Sequence, residues 1–349
     1  MAYTTINKST DYFNTKLYTG NGGTNAQTGV GFQPDLTWIK CRDDTHNPNW
    51  FDAVRGVTKR ISSHSTAAES TVATSLTSFD NDGFTLGSDG GQNFNSNTYV
   101  AWNWLASNTT ASNTDGSITS TVSANTTAGF SIVSYTSTGS NATIGHGLGV
   151  APAMIIFKRR SGDTENWVVY HKSLGATKSV ILNGSDAQAT SSARFQDTSP
   201  TPTLFSVGTS GDVNGGSSPF IAYCFAEKQG FSKFGSYVGN GNADGTFVYT
   251  GFKPAFVIVK RTDSSANGNW TMHDNKRSSS DGFNHVDKTL YPNQSYSEGT
   301  STARGMDLFS NGFKFTGTDE GNTSGATHIF MAFAEAPLVG SNNVPCTAR

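Results

Sequence analysis

The sequence predicts an all-β protein built of three tandem β-sandwich or jelly-roll-like domains of about 100 residues each. Three observations support this prediction. Short apolar or alternating runs recur at roughly 8–12-residue intervals between Gly, Asn, Asp and Pro. No stretch keeps a helical period. One decapeptide pattern occurs three times, at residues 31–40, 149–158 and 251–260.

The repeated decapeptide has the features of a buried strand with its start signal. In each copy a Gly precedes a Pro by three residues and a Lys follows that Pro by six; the Pro/Lys pairs are Pro34/Lys40, Pro152/Lys158 and Pro254/Lys260. Proline has no backbone N–H to give to a sheet and fixes φ, so it marks strand entry. The β-branched and aromatic residues that follow it suit a buried strand.

Other features recur around this strand in a fixed order. A Tyr–Gly step lies upstream, while a Trp, a Phe-containing turn and an apolar closing strand lie downstream; the tryptophans are Trp50, Trp167 and Trp270, at 16, 15 and 16 residues past the Pro. The prolines are 118 and 102 residues apart. Solenoid and propeller repeats are shorter, roughly 20–50 residues, so the copies are predicted to be domains with cores of their own.

The composition shifts along the chain predict the domain boundaries. We expect an N-terminal leader or attachment arm (1–16), β-repeat 1 (17–106), an extended and partly flexible Ser/Thr/Asn linker (107–129), β-repeat 2 (130–230), β-repeat 3 (231–337) and a C-terminal tail (338–349). The leader is predicted either to attach the protein to another molecule, to pair as an extra strand, or to pack on the first domain.

Charge and cysteine content narrow the possible partners. Asp, Glu, Lys and Arg make up 14% of the chain and the net charge is −2, without a run of Lys or Arg, so a nucleic-acid partner is not expected. No signal peptide and no apolar run approaching ~18 residues is present, so membrane insertion is not expected. Cys41, Cys224 and Cys346 are far apart and odd in number, which predicts free thiols.

The sequence does not assign catalytic residues, a metal or a cofactor, and a non-enzymatic protein is predicted. The acidic residues of repeat 1 are not kept together in the other repeats, and turn formation explains the Asp80–Gly83 segment. The Asn240–Gly245 segment matches the first half of a calcium loop, but its twelfth position is Gly251 where a bidentate Glu is required. We interpret it as a tight hairpin.

The loops before the three tryptophans are the predicted recognition surface. A Trp at one position in every copy indicates the core, whereas the loops that precede it differ in length and polar content. Variable polar loops on a constant scaffold are where recognition tends to reside. The candidate receptor-contact residues are Asp44, His46, Asn49, Asp163, Glu165, Asp263 and Asn267.

The repeat also resembles repeats of tail-fibre-like virion proteins of tailed bacteriophages, especially marine ones. The resemblance rests on Tyr18-Thr19-Gly20, on Gly31 to Asp35 with Trp38-Ile39-Lys40, on Phe79 with Asp82-Gly83-Phe84, and on Tyr99 to Trp102. Repeats 2 and 3 depart from it, since they lack the Asp after the Pro and the Trp of the closing strand. The resemblance implies a virion protein assembled in the host cytoplasm, contact with other virion proteins, a homo-oligomer with a trimer favoured, and contact with the host surface, including a surface glycan.

Two alternatives stay open at this point. A capsid decoration or tail accessory protein would use the same repeats only for packing, and predicts apolar interfaces with other virion chains. A polysaccharide depolymerase predicts a cleft with two close carboxylates and the release of reducing ends from host polysaccharide.

Overall fold

The computed structural model describes residues 3–278, 285–340 and 345, and it confirms the all-β prediction. The elements of repeat 1 are β1 (Phe13–Thr19), β2 (Asn25–Gln27), β3 (Leu36–Cys41), β4 (Asn49–Asp52), β5 (Lys59–Ser62), β6 (Ser70–Thr71), β7 (Leu76–Asp80), β8 (Gly83–Leu86), α1 (Gly90–Asn93) and β9 (Thr98–Trp104). Those of repeat 2 are β10 (Ala111–Asn113), β11 (Ser120–Asn125), β12 (Phe130–Thr136), β13 (Ala142–Gly145), β14 (Met154–Arg159), β15 (Val168–His171), β16 (Lys178–Ile181), β17 (Ala189–Thr190), α2 (Ser192–Phe195), β18 (Leu204–Val207), α3 (Gly211–Asn214) and β19 (Pro219–Phe225). Those of repeat 3 are β20 (Ser232–Val238), β21 (Phe247–Tyr249), β22 (Phe252–Arg261), β23 (Trp270–Asp274), β24 (His285–Val286), β25 (Lys288–Thr289), β26 (Gly299–Thr300), β27 (Met306–Phe309), β28 (Gly312–Phe315) and β29 (Thr327–Pro337). Short 3₁₀ turns lie at Ser9–Asp11 and Thr302–Arg304. The α-helices within these described residues are single turns, and none could cross a membrane.

Each repeat is a sandwich of two sheets, and we call the sheet that contains the decapeptide strand the large sheet and the one facing it the small sheet, although in repeat 3 both have four strands. The large sheets have the strand orders β1-β9-β3-β4-β5-β6, β10-β11-β12-β19-β14-β15-β16-β17 and β20-β29-β22-β23. The small sheets facing them are β2-β8-β7, β13-β18 and β21-β28-β27-β24. The named strands pair antiparallel, and each sandwich has an apolar core between its two sheets.

The central strands of the large sheets are buried on both faces. All six residues of β3 are buried, and successive side chains point to opposite faces. Leu36 and Trp38 therefore enter one core, while Ile39 and Cys41 enter the core between the two sheets of repeat 1. The run of bulky residues in the repeated decapeptide reflects this burial on both faces, because a strand with one solvated face would alternate apolar and polar residues.

The outer faces of the three large sheets meet in one shared core. It contains residues of every repeat, among them Trp38, Trp102, Ile156, Tyr223, Phe256 and Met331. The three repeats therefore surround a common centre with approximate threefold symmetry, in addition to having cores of their own. The three repeats, which follow one another in the sequence, are thus related by rotation about an axis in the structure.

The span predicted as a flexible linker is instead structured. Residues 107–129 contain β10 and β11, and β11 pairs with β12 from Ser120↔Tyr135 to Asn125↔Phe130. The physical reason is that Ile118 and Val122, the two larger apolar residues of this polar segment, are buried in the core of repeat 2.

The described part of the N-terminal arm packs on repeats 2 and 3. Ile6 is buried in the shared core. The Tyr3 hydroxyl donates to the Gly251 carbonyl at 2.8 Å, and the Thr4 hydroxyl donates to the Gln229 carbonyl at 2.8 Å. Of the tail, the Leu338 N–H donates to the Gly251 carbonyl at 3.4 Å, and Cys346 lies outside the described residues.

The molecule has two distinct ends. We define the loop end as the end at which β3, β14 and β22 finish, and the joint end as the opposite one. β9 ends with Trp104 paired to Leu36, and β19 ends with Phe225 paired to Met154, which are the first residues of β3 and β14. The chain therefore passes from one repeat to the next at the joint end. The loops that follow β3, β14 and β22 lie at the loop end.

The three tryptophans of the repeat are buried, as predicted for core residues, but they are not at one position. Trp270 pairs with Lys260, whereas Trp50 pairs with Trp38, two residues before the equivalent Lys40. Trp50 and Trp270 both lie 16 residues after the Pro of their repeat. Because the loop before Trp50 is shorter, Trp50 lies further along its strand than Trp270 does. A shift of two residues keeps the side chain on the same face.

Candidate functional site

The loop end is built on three equivalent buried lysines, the last bulky position of each decapeptide. Each ammonium donates to a carbonyl of its own repeat and to a carbonyl of a neighbouring repeat. These contacts are Lys40 Nζ to His46 O (2.8 Å) and Ser295 O (3.0 Å), Lys158 Nζ to Glu165 O (2.6 Å) and Thr66 O (2.8 Å), and Lys260 Nζ to Gly268 O (2.6 Å) and Ser185 O (3.0 Å). The contacts run cyclically around the axis, so each loop is fixed to the repeat beside it.

Burial lowers the pKa of all three lysines. The pKa of Lys40, Lys158 and Lys260 falls to about 8 in each case, chiefly because the charged ammonium is removed from water. Carbonyl oxygens can accept from the ammonium without themselves carrying charge. These groups therefore position the loops, and the candidate contact surface lies above them.

A second ring of contacts joins the same neighbours further out. The backbone N–H groups of Glu69, Glu298 and Gln188 donate to carbonyls of the adjacent repeat, at Arg160 (2.9 Å), Arg42 (2.6 Å) and Thr262 (2.8 Å). Two of the three interfaces add a bidentate Arg–Glu pair, with Arg160 on Glu69 (3.0 and 3.2 Å) and Arg42 on Glu298 (3.0 and 3.0 Å). At the third interface Gln188 and Thr262 replace this pair, which breaks the symmetry of the ring.

Most of the predicted contact residues lie on the exposed part of this end. Asp44, Asp163, Asp263 and Asn267 are exposed, and His46 and Glu165 are half-buried. The prediction of Asn49 as a contact residue is wrong, because Asn49 is 1% exposed. It begins β4, where its side chain donates to Asn47 O at 3.0 Å and accepts from Ser62 Oγ at 2.5 Å.

The predicted residues are brought to one end but stay grouped by repeat. Asp44 lies 3.7 Å from His46, Asp163 and Glu165 lie 3.1 and 3.8 Å from Arg159, and Asp263 lies 2.9 Å from Arg261. The Thr45 N–H hydrogen bond lowers the pKa of Asp44, and burial raises that of Glu165. Three small polar surfaces of different composition therefore surround the axis, each carrying acidic groups beside a cationic or imidazole group.

Two exposed aromatic residues at the loop end were missed in the sequence. Phe94 is 55% exposed and Tyr296 is 57% exposed. The Phe94 ring lies 6.4 Å from the His46 ring, and Tyr296 follows Ser295, whose carbonyl accepts from Lys40. Each is a single aromatic in a polar run, at residues 92–97 and 293–297. A single aromatic in a polar run indicates an exposed side chain, because no apolar strand is present locally to bury it.

The segments considered for metal or redox chemistry have structural partners. In the Asn240–Gly245 turn, Asn240 Nδ2 donates to the Asp244 carbonyl at 2.8 Å, and the Asp244 carboxylate accepts from Lys314 at 2.6 Å. Cys41 and Cys224 are buried free thiols. Across the described part of the chain, no three His, Cys, Asp or Glu side chains are placed to hold a metal ion.

These features define an all-β protein in which three sandwich repeats share one core and present different loops at one end. The chain belongs to the family described as "Domain of unknown function (DUF7483)", whose model matches residues 8–337. The match covers all three repeats. Comparison with curated proteins finds no match, and comparison with solved structures finds none either.

Proposed function

We propose that this protein is a non-enzymatic structural protein of a tailed-bacteriophage particle, a tail-fibre component whose loop end contacts the host surface. The main support for the proposal is that the two ends of the molecule are built differently. Connections between repeats and the N-terminal arm occupy the joint end, while three loops of different sequence occupy the loop end on equivalent buried lysines. A rigid scaffold with variable loops suits recognition.

The chemistry of the loop end suits a glycan. Exposed aromatic rings stack on the apolar face of a sugar, and carboxylates and amides accept or donate hydrogen bonds to its hydroxyls. Phe94 and Tyr296 supply the rings, and Asp44 and Asn267 are among the exposed polar groups. A host-surface glycan is therefore the proposed receptor class.

Binding of labelled protein to host cells tests host contact. We expect a triple variant, Asp44→Ala with Asp163→Ala and Asp263→Ala, to reduce saturable binding at least tenfold, because one exposed carboxylate is lost from each loop. Asp11→Ala is the matched control, since Asp11 precedes β1 at the joint end. Equal binding by the triple variant and the control would refute the proposed surface. Proteomics of purified particles tests the virion assignment separately.

A packing role is the second candidate, and one observation favours it. Phe247 and Tyr249 on the small sheet of repeat 3 are 46% and 53% exposed, and exposed apolar side chains that lie together often mark a contact with another chain. A decoration or tail accessory protein would cover them with another virion chain. That role gains if host cells and glycan arrays show no binding while the protein is found in particles.

Oligomeric state and enzymatic activity have their own measurements. The homotrimer favoured by the resemblance stays a prediction, and mass photometry of the full chain distinguishes it from a monomer whose three repeats already surround one axis. Release of reducing ends from host polysaccharide would support the depolymerase alternative instead.

A further inference from the structure

The outer edge of repeat 3 is formed by β20 and β21. In repeat 2 the equivalent edge, formed by β12 and β13, is covered by the segment that connects repeats 1 and 2. β11 pairs along the free side of β12, and Ile118 forms a parallel bridge with Ile144 of β13. The fold of one repeat therefore has a place for an added strand, and within the described residues this place is filled once, in repeat 2.

The covering contacts are specific. The Ile118 N–H donates to the Thr143 carbonyl at 3.0 Å, and the Thr143 N–H donates to the Ser117 hydroxyl at 2.9 Å. Ile118 is 8% exposed and belongs to the core of repeat 2. The added segment thus satisfies the backbone of the edge strand and also closes the sandwich.

The strands of repeats 2 and 3 can be matched residue by residue. Ile144 pairs with Phe205, and Val248 pairs with Phe313 of the equivalent turn. Val248 of β21 is thus the counterpart of Ile144, and Phe247 is the counterpart of Thr143. β21 is the terminal strand of its sheet, and in the described ranges no segment bridges it on the side away from β28.

This uncovered edge is apolar. Val238, Phe247 and Tyr249 are 53%, 46% and 53% exposed. The Phe247 ring packs against the half-buried Phe309, at 5.8 Å between centroids. Exposed apolar edge strands are templates for pairing with another chain.

Repeat 1 shows how an edge without a partner is protected. Its equivalent strands β1 and β2 carry Lys16 and Asn25 at this edge, and the buried Gln27 takes the place of Val248. Charged and amide side chains discourage edge-to-edge pairing. The edge of repeat 3 is open, as in repeat 1, but it carries apolar residues. Polar side chains therefore do not protect this edge from pairing with another strand.

We propose that the β20/β21 edge binds an extended strand of another protein chain, which lies parallel to β21 as Ser117–Ile118 lies on β13. The partner strand donates a backbone N–H to the Phe247 carbonyl and places a β-branched apolar residue over Val248. Strand addition of this kind takes its affinity from main-chain hydrogen bonds and its specificity from alternate side chains. The proposal does not depend on contact with a host receptor.

A peptide from the chain itself provides the probe. A fluorescent peptide of residues 109–126 carries the covering segment of repeat 2. In the full-length protein that edge is already covered, so the open edges offered to the peptide are the polar one of repeat 1 and the apolar one of repeat 3. We expect saturable binding in fluorescence anisotropy, together with slower hydrogen exchange of the β21 amides. The peptide variant Ile118→Asp should bind at least tenfold more weakly.

Protein variants locate the site. Phe247→Lys and Val238→Lys place a charge on the edge at exposed positions, so folding is retained, and each should weaken binding at least tenfold. Val150→Lys is the matched control, because Val150 is an exposed valine, 40% accessible, outside this edge. Absence of saturable binding, or binding that these two variants leave unchanged, overturns the proposal. A homo-oligomer that Val238→Lys dissociates also overturns it, because the occupant is then a second copy of this chain.

Discussion

The indole N–H of Trp102 in repeat 1 donates to Oδ2 of Asp274 in repeat 3 at 3.0 Å, inside the shared core. Each of the other two interfaces has a contact at the equivalent place: Tyr223 hydroxyl to Asp52 Oδ2 at 2.7 Å, and His171 Nε2 to Phe330 O at 3.1 Å. A polar group buried in an apolar core costs free energy unless it is hydrogen-bonded. These three contacts therefore fix the rotation of one repeat against the next.

Removal of the Trp102 donor should cost more than the loss of ring volume alone. Trp102→Phe leaves the carboxylate of Asp274 with one fewer donor, and hydrogen bonds to charged groups contribute about 2 kcal/mol. Trp104→Phe is the matched control, because the Trp104 indole N–H is buried in the same core without a partner. Urea denaturation should show Trp102→Phe to be about 2 kcal/mol less stable than Trp104→Phe. Equal losses would show that the interface contact contributes little.

The Arg–Glu–Arg contact between repeats 3 and 1 should dominate the acid sensitivity of that interface. Glu298 accepts from Arg42 at 3.0 Å and from the buried Arg277 at 2.9 Å. Burial alone would raise the pKa of Glu298, but the two guanidinium groups offset it and lower the pKa below its ordinary value. A carboxyl group whose pKa is lower in the folded than in the unfolded state stabilises the fold at pH values above its unfolded-state pKa. This stabilisation is lost as the pH falls through the folded-state pKa.

Glu298→Gln tests this contact. We expect a loss of about 3 kcal/mol at pH 7, because two guanidinium groups lose their shared carboxylate. The difference from the native protein should shrink in denaturation curves as the pH is lowered below the ordinary glutamate pKa of 4.5. Gln188→Ala is the control at the equivalent position, where only the backbone bonds to the neighbouring repeat, and its effect should stay within about 0.5 kcal/mol. A pH-independent difference for Glu298→Gln would contradict the ionic interpretation.

Much of this architecture was readable in the sequence, and the missing part has a physical reason. The decapeptide, its Pro and its Lys predicted three buried strands, which the structure confirms at β3, β14 and β22. The shared core was not predicted, because burial on both faces of a strand does not say whether the second face meets a small sheet or another repeat. The acceptors of Lys40 include Ser295, 255 positions away, and no local pattern indicates such a partner.

The same reasoning explains the outcome at the loop end. Polar loops between strands could be assigned to the surface from composition, and of the seven candidate residues four are exposed and two are half-buried. Asn49 failed because the boundary of β4 lies one residue earlier than the Trp suggested, and strand ends are set by pairing partners that are distant in sequence.

The buried lysines should make the protein more stable as the pH rises from 8 toward 10. The pKa of Lys158 is about 8 in the folded state, below the ordinary lysine value near 10.5, so the unfolded chain binds more protons between these values. Stability rises with pH wherever that is so. Lys158→Met should reduce the slope of unfolding free energy against pH from 8 to 9.5, while the exposed Lys8→Met leaves it unchanged. An unaltered slope in Lys158→Met would show that the folded-state pKa of Lys158 is not lowered.

Asp35 should act in the opposite direction. Burial raises its pKa to about 6 even though the N–H groups of Ala106 and Asn108 donate to it. Because the folded-state pKa lies above the ordinary value of 3.8, stability contributed below pH 4 is lost as the pH rises through 6. Asp35→Asn retains an oxygen for the two N–H donors and should remove this decline in stability. At pH 7 its free energy of unfolding should exceed that of the native protein by up to about 3 kcal/mol. The exposed Asp11→Asn serves as control, and an unchanged pH profile in Asp35→Asn would contradict the assignment.

The two exposed aromatics at the loop end should matter for receptor contact but not for folding. Phe94 and Tyr296 are more than half exposed, so Phe94→Ala and Tyr296→Ala should change the unfolding free energy by less than about 1 kcal/mol. Stacking of an aromatic ring on a sugar or another apolar surface is lost with each, so host-cell binding should fall at least tenfold in the double variant. Tyr249→Ala removes an equally exposed aromatic from repeat 3, 53% accessible, and should leave host binding unchanged if its surface binds another chain instead. If Tyr249→Ala abolishes host binding while the Phe94/Tyr296 double variant retains it, the receptor surface lies on repeat 3 and not at the loop end.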